Sequence, residues 1–344
     1  MRQRVAVLSA CAVIAAVLLH QSLAAQQEAA GSRMGSAPSG PRLERAVGYY
    51  DARLQRVVLV GGSGQPQTGL RDQVWSWNGR RWEIVTMSGP PSRTNAAGAY
   101  DLSSGKGVVA GGSTRSADGS KWEVLGDSWS GDRENWNRIG DIAPRDHQSM
   151  VTDGSGRVLL FGGIPAGRSG PWPTDTYQLG SDGWTRVASD GPAGRGRTAV
   201  AFDSARRQVV LFGGVTAPSG PQGQQTFLND TWIWQDERWR KVGESGQPGR
   251  YAHAMVFDER ARVVLLYSGS AAHSKAPLTD MWQWDGQRWS EVPQNGPTPG
   301  HRYQPVMVYD RARGKTVLYG GLGESKDDTW EWDGQRWQEI RPSD

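Results

Sequence analysis

The sequence predicts an all-β fold, a six-bladed β-propeller whose blades are four-stranded antiparallel sheets. Three observations predict it. Apolar runs ending in a glycine pair, or once in Ser268-Gly269, recur six times, about fifty residues apart. A tryptophan-rich segment with hairpin-turn chemistry follows each run. No stretch beyond the N-terminus shows the 3.6-residue periodicity of an amphipathic helix.

The 344 residues begin with the pattern of an export signal, residues 1–24. Arg2 and Arg4 form the charged end, "VAVLSACAVIAAVLL" (5–19) the apolar stretch, and "SLA" before Ala25 a small-residue cleavage site. Cys11, in "LSAC", resembles a lipid-attachment box, but only six residues separate it from Arg4 and the apolar run continues past it. It therefore reads as part of the removed signal. The mature chain then has no cysteine, and so no disulfide, thiolate ligand or cysteine nucleophile. Residues 25–41, "AQQEAAGSRMGSAPSGP", are too polar and small to offset their ordering entropy, and read as a disordered linker.

The 39 Lys and Arg against 35 Asp and Glu give +4, and loss of Arg2 and Arg4 leaves +2. With no Lys/Arg stripe carrying interleaved aromatics, nucleic acid is not an expected partner. The apolar run of the signal is too short and too near the start for a good membrane span, and no other stretch is apolar enough to be one. A monomer periplasmic or extracellular in location is therefore the expectation.

The repeats fill residues 42–341. "VVLVGG" (57–62), "GVVAGG" (107–112), "VLLFGG" (158–163), "VVLFGG" (209–214), "VLLYSG" (264–269) and "TVLYGG" (316–321) place the last glycines 50, 51, 51, 55 and 52 residues apart. The units run over about 42–87, 88–141, 142–189, 190–243, 244–293 and 294–341. Each has an Arg-led apolar run ending in aspartate, a tight turn, the glycine-paired run, a variable loop, and a "TWEW"-type hairpin.

Fifteen of the 17 tryptophans occupy the hairpins. "DG" at 333–334 and 285–286 and "NG" at 78–79 suit two-residue turns with φ > 0 at both centres. Such a turn sets Trp332 opposite Gln335 and Trp330 opposite Trp337, with all three indoles on one face. That assigns the tryptophans to sealing neighbouring sheets. Units two and three carry fewer rings, with Trp129 and Trp136 in one and Tyr177, Leu179 and Trp184 in the other, so looser packing is expected there. Asp51, Asp101, Asp153, Asp203, Asp258 and Asp310 end the first strands, and the expectation is an Asx turn rather than a metal ring.

Six apolar runs, five ending in Gly-Gly and one in Ser-Gly, followed by the aromatic hairpin, resemble kelch repeats, and the "DTWEWDGxRW" variant is similar to that of secreted bacterial kelch proteins. The resemblance covers about 300 residues. It implies a propeller like the central domain of galactose oxidase, but a copper-radical site needs a Cys–Tyr crosslink that the mature chain does not supply. Many kelch propellers share a blade between the two chain ends. Here unit one has its own first strand ("RAVGYYD", 45–51) and unit six its own last, which predicts closure by face packing alone.

The resemblance also places the head arginines, Arg93, Arg145, Arg195, Arg250 and Arg302 (Leu43 in unit one), before the innermost strand. There they either ring the channel mouth for a carboxylate-bearing ligand or pair with repeat acids such as Asp230, Asp280 and Asp328. The loops between second and third strands are long, dissimilar and on one face, and Trp122, Trp172 and His273 within them are further candidate ligand contacts. Either tryptophan could instead plug its own loop. Catalytic signals are thin: His147, His253, His273 and His301 occupy unmatched positions, and no metal or cofactor motif is present. The leading expectation is an exported binding module for a protein, peptide or glycan. The alternatives are a sugar-acid isomerase resembling the periplasmic kelch enzyme that epimerises N-acetylneuraminate, and an envelope scaffold.

Overall fold

The computed structural model describes residues 40–41, 43–63, 72–219, 223–244, 246–271, 278–323 and 327–341. Six four-stranded antiparallel sheets follow in chain order, and no helix occurs among the described residues. None of their segments is therefore a helix long and apolar enough to cross a membrane. The first strands, Val47–Asp51, Ala97–Asp101, Ser149–Thr152, Ala199–Asp203, Ala254–Asp258 and Val306–Asp310, run side by side around a central channel. Each sheet is blade-local. The first holds only strands between Val47 and Thr86 and the last only strands between Val306 and Ile340, so the ring closes without strand exchange.

Side-chain packing makes that closure. Trp75, Trp77 and Trp82 of blade one share a buried cluster with Val308, Val317 and Tyr319 of blade six. Trp82 meets Tyr319 edge-on at 5.1 Å. Trp330, Trp332 and Trp337 pack the same way against Leu265, Tyr267 and Met281 of blade five. Burying an indole contributes on the order of 4 kcal/mol at about 25 cal/mol per Å². None of the fifteen hairpin tryptophans is exposed.

The hairpin register differs from the sequence expectation. Trp332 pairs with Trp337 and Trp330 with Glu339. Only Gly334 has positive φ, and the Asp333 carboxylate accepts from the backbone N–H groups of Gln335 and Arg336. The turn is thus centred on Gly334–Gln335, with glycine at its first central position. The shift of two preserves parity, so the rings still share one face and the two partnered indoles lie 5.5 Å apart. The two-residue turn with both centres at positive φ occurs instead at Asp236–Glu237, without glycine.

The repeat aspartates make the expected Asx turns. Each accepts from one or more backbone N–H groups two to four residues ahead, as Asp51 does from Arg53 and Leu54. The last glycines of these runs tie blades together: Gly62, Gly112, Gly163, Gly214 and Gly269 donate to the carbonyl of the next head arginine at 2.8–3.1 Å. A Cβ on Gly112 would lie 2.7 Å from the Thr94 carbonyl, and φ there is +93, which accounts for the glycine.

In blade two, Gly131 stands where blades one, four, five and six carry a second tryptophan and blade three Leu179, and Trp136 lies over it.

Candidate functional site

The head arginines brace the blades. All five are 0–2 % exposed. Arg93, Arg195, Arg250 and Arg302 make bidentate bonds to Asp127, Asp230, Asp280 and Asp328 at 2.5–3.0 Å. Those carboxylates also accept from the indoles of Trp129, Trp232, Trp282 and Trp330. In Asp230, whose burial alone would raise the pKa, the Arg195 guanidinium holds the carboxyl below its usual range. Arg145 instead stacks over Tyr177 at 5.5 Å and donates to the Gly162 carbonyl. None of the five lines the channel mouth. In blade one the head is Leu43 and the acid position is Gln73, so both partners are replaced together.

The two candidate tryptophans part ways. Trp172 is buried against Ile164 and Val215 and plugs its own loop. Trp122 is 47 % exposed on a hairpin of Ser113–Arg115 and Trp122–Val124, with Arg115 stacked 4.4 Å over one face. His273 lies outside the described residues.

The polar centre of the loop face lies two residues beyond each head position. Arg45, Asn95, His147, Arg197, Ala252 and Gln304, one per blade, all adopt left-handed backbone with φ of 55–57°. Non-glycine residues meet roughly 1–2 kcal/mol of steric cost there. Interblade hydrogen bonds hold them: His147 N–H donates to Asn95, Arg197 to His147, Ala252 to Arg197 and Gln304 to Ala252, at 2.7–3.0 Å. The head segments pair with the variable loops, as Arg145–Asp146 does with Ile164–Pro165, so ring and loops share a face.

These residues line a cavity of about 140 Å³ at the channel mouth. Around it Arg45 Nε, Asn95 Oδ1, Gln148 Oε1, Arg197 Nε and Gln304 Oε1 are buried without a hydrogen-bond partner. Buried polar atoms are nearly always satisfied, so such a cluster marks a place for a bound group. Arg197 donates to the Tyr303 hydroxyl at 2.6 Å and lies 5.8 and 5.7 Å over the Tyr251 and Tyr303 rings. Phe227 extends this aromatic wall, 5.0 Å from Tyr251.

His147 is held by its neighbour. Its Nδ1 lies 2.8 Å from Asp146 Oδ1, and Asp146 Oδ2 accepts from Ser113 Oγ and Arg168 Nη2 at 2.8 and 2.7 Å. Burial raises the Asp146 carboxyl, but the His147, Ser113 and Arg168 interactions outweigh it and keep the group low. Burial pushes the His147 imidazole down; Asp146 opposes this, while Arg197 and Arg168 reinforce it.

The opposite mouth is larger, about 290 Å³, and lined by Tyr50, Tyr100, Phe202, Phe257 and Tyr309. No described residue there has an unpartnered buried polar side-chain atom. Its tyrosines serve the ring, as Tyr100 does, packed 6.1 Å from the Tyr49 ring of the preceding blade. The chemistry is concentrated at the loop-face mouth.

Sequence reasoning passed over this ring because it sought repetition. In an otherwise repeated frame the third position counted from the head residue varies, through Arg, Asn, His, Arg, Ala and Gln, and that variability was the available signal.

No protein-family model matches the chain, and no curated protein does. Solved structures do match. One described as "Structure of YjhT" superposes with a TM-score of 0.67 at 14 % identity, over 89 % of this chain and 99 % of that one. At that identity the likeness is one of fold.

Proposed function

We propose that the chain is an exported, kelch-type recognition module that receives the polar end of a peptide or glycan in the loop-face mouth of its channel. The observation that carries this reading is the cluster of unpartnered buried polar atoms around the mouth, from Arg45, Asn95, Gln148, Arg197 and Gln304. The cavity's size suits an end group, with the rest of the ligand lying on the loops. The half-exposed Tyr251 and Tyr303 and the exposed Trp122 offer ring faces for that remainder. Export rests on the N-terminal signal pattern and is checked by the mass of the secreted chain, expected to begin at Ala25.

A glycan and peptide array, followed by calorimetry on any hit, tests the reading. Saturable binding lost in Arg45→Ala and Arg197→Ala supports it. Binding that survives both substitutions and disappears in Trp122→Ala moves recognition to the outer loops and overturns the mouth.

A second reading, a sugar-acid isomerase, is favoured by one observation, the Asp146–His147 pair beside two arginines. Incubation with N-acetylneuraminate, with isomer ratios followed by NMR, checks it. No acceleration of exchange removes it.

A further inference from the structure

We propose that the loop-face mouth binds a small oxyanion, a carboxylate or a sulfate- or phosphate-like group, and that His147 takes up a proton as it binds. The proposal rests on the recognition reading above and names the chemistry of that same site.

The mouth is cationic. Arg45 and Arg197 stand in blades one and four, opposite each other in a ring of six, and each has a buried Nε without a partner. An Nε–H only donates, so its missing partner is an acceptor such as an oxyanion oxygen. Arg197 is held in place by Tyr303 and the Tyr251 ring, which reduces the ordering needed on binding.

His147 completes the site. With Nδ1 donating to Asp146, Nε2 is the nitrogen left for a ligand. Asp146 is 0 % exposed and receives three donors, so the ring is fixed in tautomer and orientation. The pair exists in one blade. The equivalent positions hold Glu44–Arg45, Thr94–Asn95, Gly196–Arg197, Tyr251–Ala252 and Tyr303–Gln304. A part required to build the ring would recur, as the head arginines do.

The charges facing His147 explain the proton. Asp146 lies against it, Arg168 behind Asp146, Arg197 next in the ring and Arg45 across the cavity. His253, the other histidine on the cavity lining, is pushed down to about 3 by burial and stays neutral. Burial, with the Arg197 and Arg168 guanidiniums set against the single Asp146 carboxylate, holds the His147 imidazole below its ordinary value and keeps it neutral. An arriving oxyanion cancels part of the positive excess and stabilises the imidazolium, whose Nε2–H becomes a further donor. Binding therefore strengthens as pH falls, by at most about tenfold per pH unit for one proton.

The test titrates glucuronate and sulfate, neither of which changes charge near neutrality, into the full chain. Calorimetry in buffers of different ionisation enthalpy, from about pH 5.5 to 8, counts protons across the range where histidine titrates. The expected result is uptake approaching one proton for at least one anion. His147→Gln should retain weaker binding with no uptake, and Asp146→Asn should move uptake to lower pH. Binding of glucuronate alone identifies a carboxylate site, and of sulfate alone a sulfate- or phosphate-like one. Binding without uptake in the native chain, or uptake that survives His147→Gln, overturns the proton coupling and leaves the recognition reading standing. Failure of both anions to bind overturns the oxyanion. If an array ligand also binds Arg45→Ala and Arg197→Ala unchanged, the recognition reading itself fails. Nitrogen-15 NMR of the free protein adds a ligand-independent check: His147 protonated on Nε2 at neutral pH contradicts the proposal.

Discussion

The indole of Trp77 donates to Glu331 Oε1 at 3.0 Å, joining blade one to blade six across 254 positions of sequence. Glu331 is 2 % exposed and also receives Arg313 and Lys315. Burial would raise its carboxyl, but Arg313, Lys315 and Trp77 hold it low. The corresponding positions in the other blades are Ser76, Ser130, Gln178, Ile233 and Gln283, so this carboxylate is particular to the seam where the ring closes.

Removing it should loosen that seam. Glu331→Ala is expected to cost about 2 kcal/mol, the upper values for a broken buried pair being reduced because Arg313 and Lys315 reach solvent. Glu331→Gln keeps an acceptor for Trp77 and should cost less than half as much. Chemical denaturation of both variants measures the difference.

The last indole of most blades bonds to a hydroxyl of the blade before. Trp82, Trp184, Trp239 and Trp289 donate to Thr329, Ser128, Thr176 and Thr231 at 2.8–2.9 Å. Trp136 and Trp337 face Val74 and Met281 at that position, and their indole nitrogens have no partner. Val74→Thr should therefore stabilise the chain by about 1 kcal/mol, and Thr231→Val should destabilise it by about 1–2 kcal/mol. Equal signs for the two substitutions would contradict the assignment.

The brace of head arginine and repeat acid predicts a rescue. Arg250→Leu alone strands the Asp280 carboxylate and should cost about 2–3 kcal/mol. Arg250→Leu with Asp280→Gln recreates the pair that blade one carries naturally, Leu43 and Gln73, and should recover most of the loss. A double-mutant cycle in urea reads the coupling directly.

Acid should unfold the protein partly through His253. Burial, reinforced by Arg250, pushes its imidazole down to about 3. A depressed histidine favours the unfolded, protonated chain as pH falls below about 6.5, and the loss continues to about pH 3, amounting to on the order of 4 kcal/mol. His253→Gln should move the acid unfolding midpoint to lower pH. An unchanged midpoint would show that His253 does not set it.

The architecture was legible because its parts recur: five glycine pairs and one Ser-Gly, six turn aspartates and the tryptophan hairpins each state the same geometry several times. The register of Trp332 was misread because Asp333 and Gly334 have two physical uses, and the Asp333 side chain, bonded to Gln335 and Arg336, moved the turn centre by one residue. The head arginines were ambiguous from sequence, since a bidentate partner can be a ligand or Asp230. The mouth was hidden for the opposite reason. Arg45, Asn95, His147, Arg197 and Gln304 share a backbone conformation but not a side chain, and only the folded ring brings them together.

Arg195 and Arg197 are two residues apart and have opposite tasks in this account: the first is clamped to Asp230 inside the wall, the second opens on the mouth. The most direct test measures ligand affinity and thermal stability for Arg195→Ala and Arg197→Ala side by side. The account predicts a lowered melting temperature with unchanged affinity of the folded fraction for Arg195→Ala, and lost affinity with a nearly unchanged melting temperature for Arg197→Ala. The reverse pattern, affinity lost at Arg195 and kept at Arg197, would contradict it.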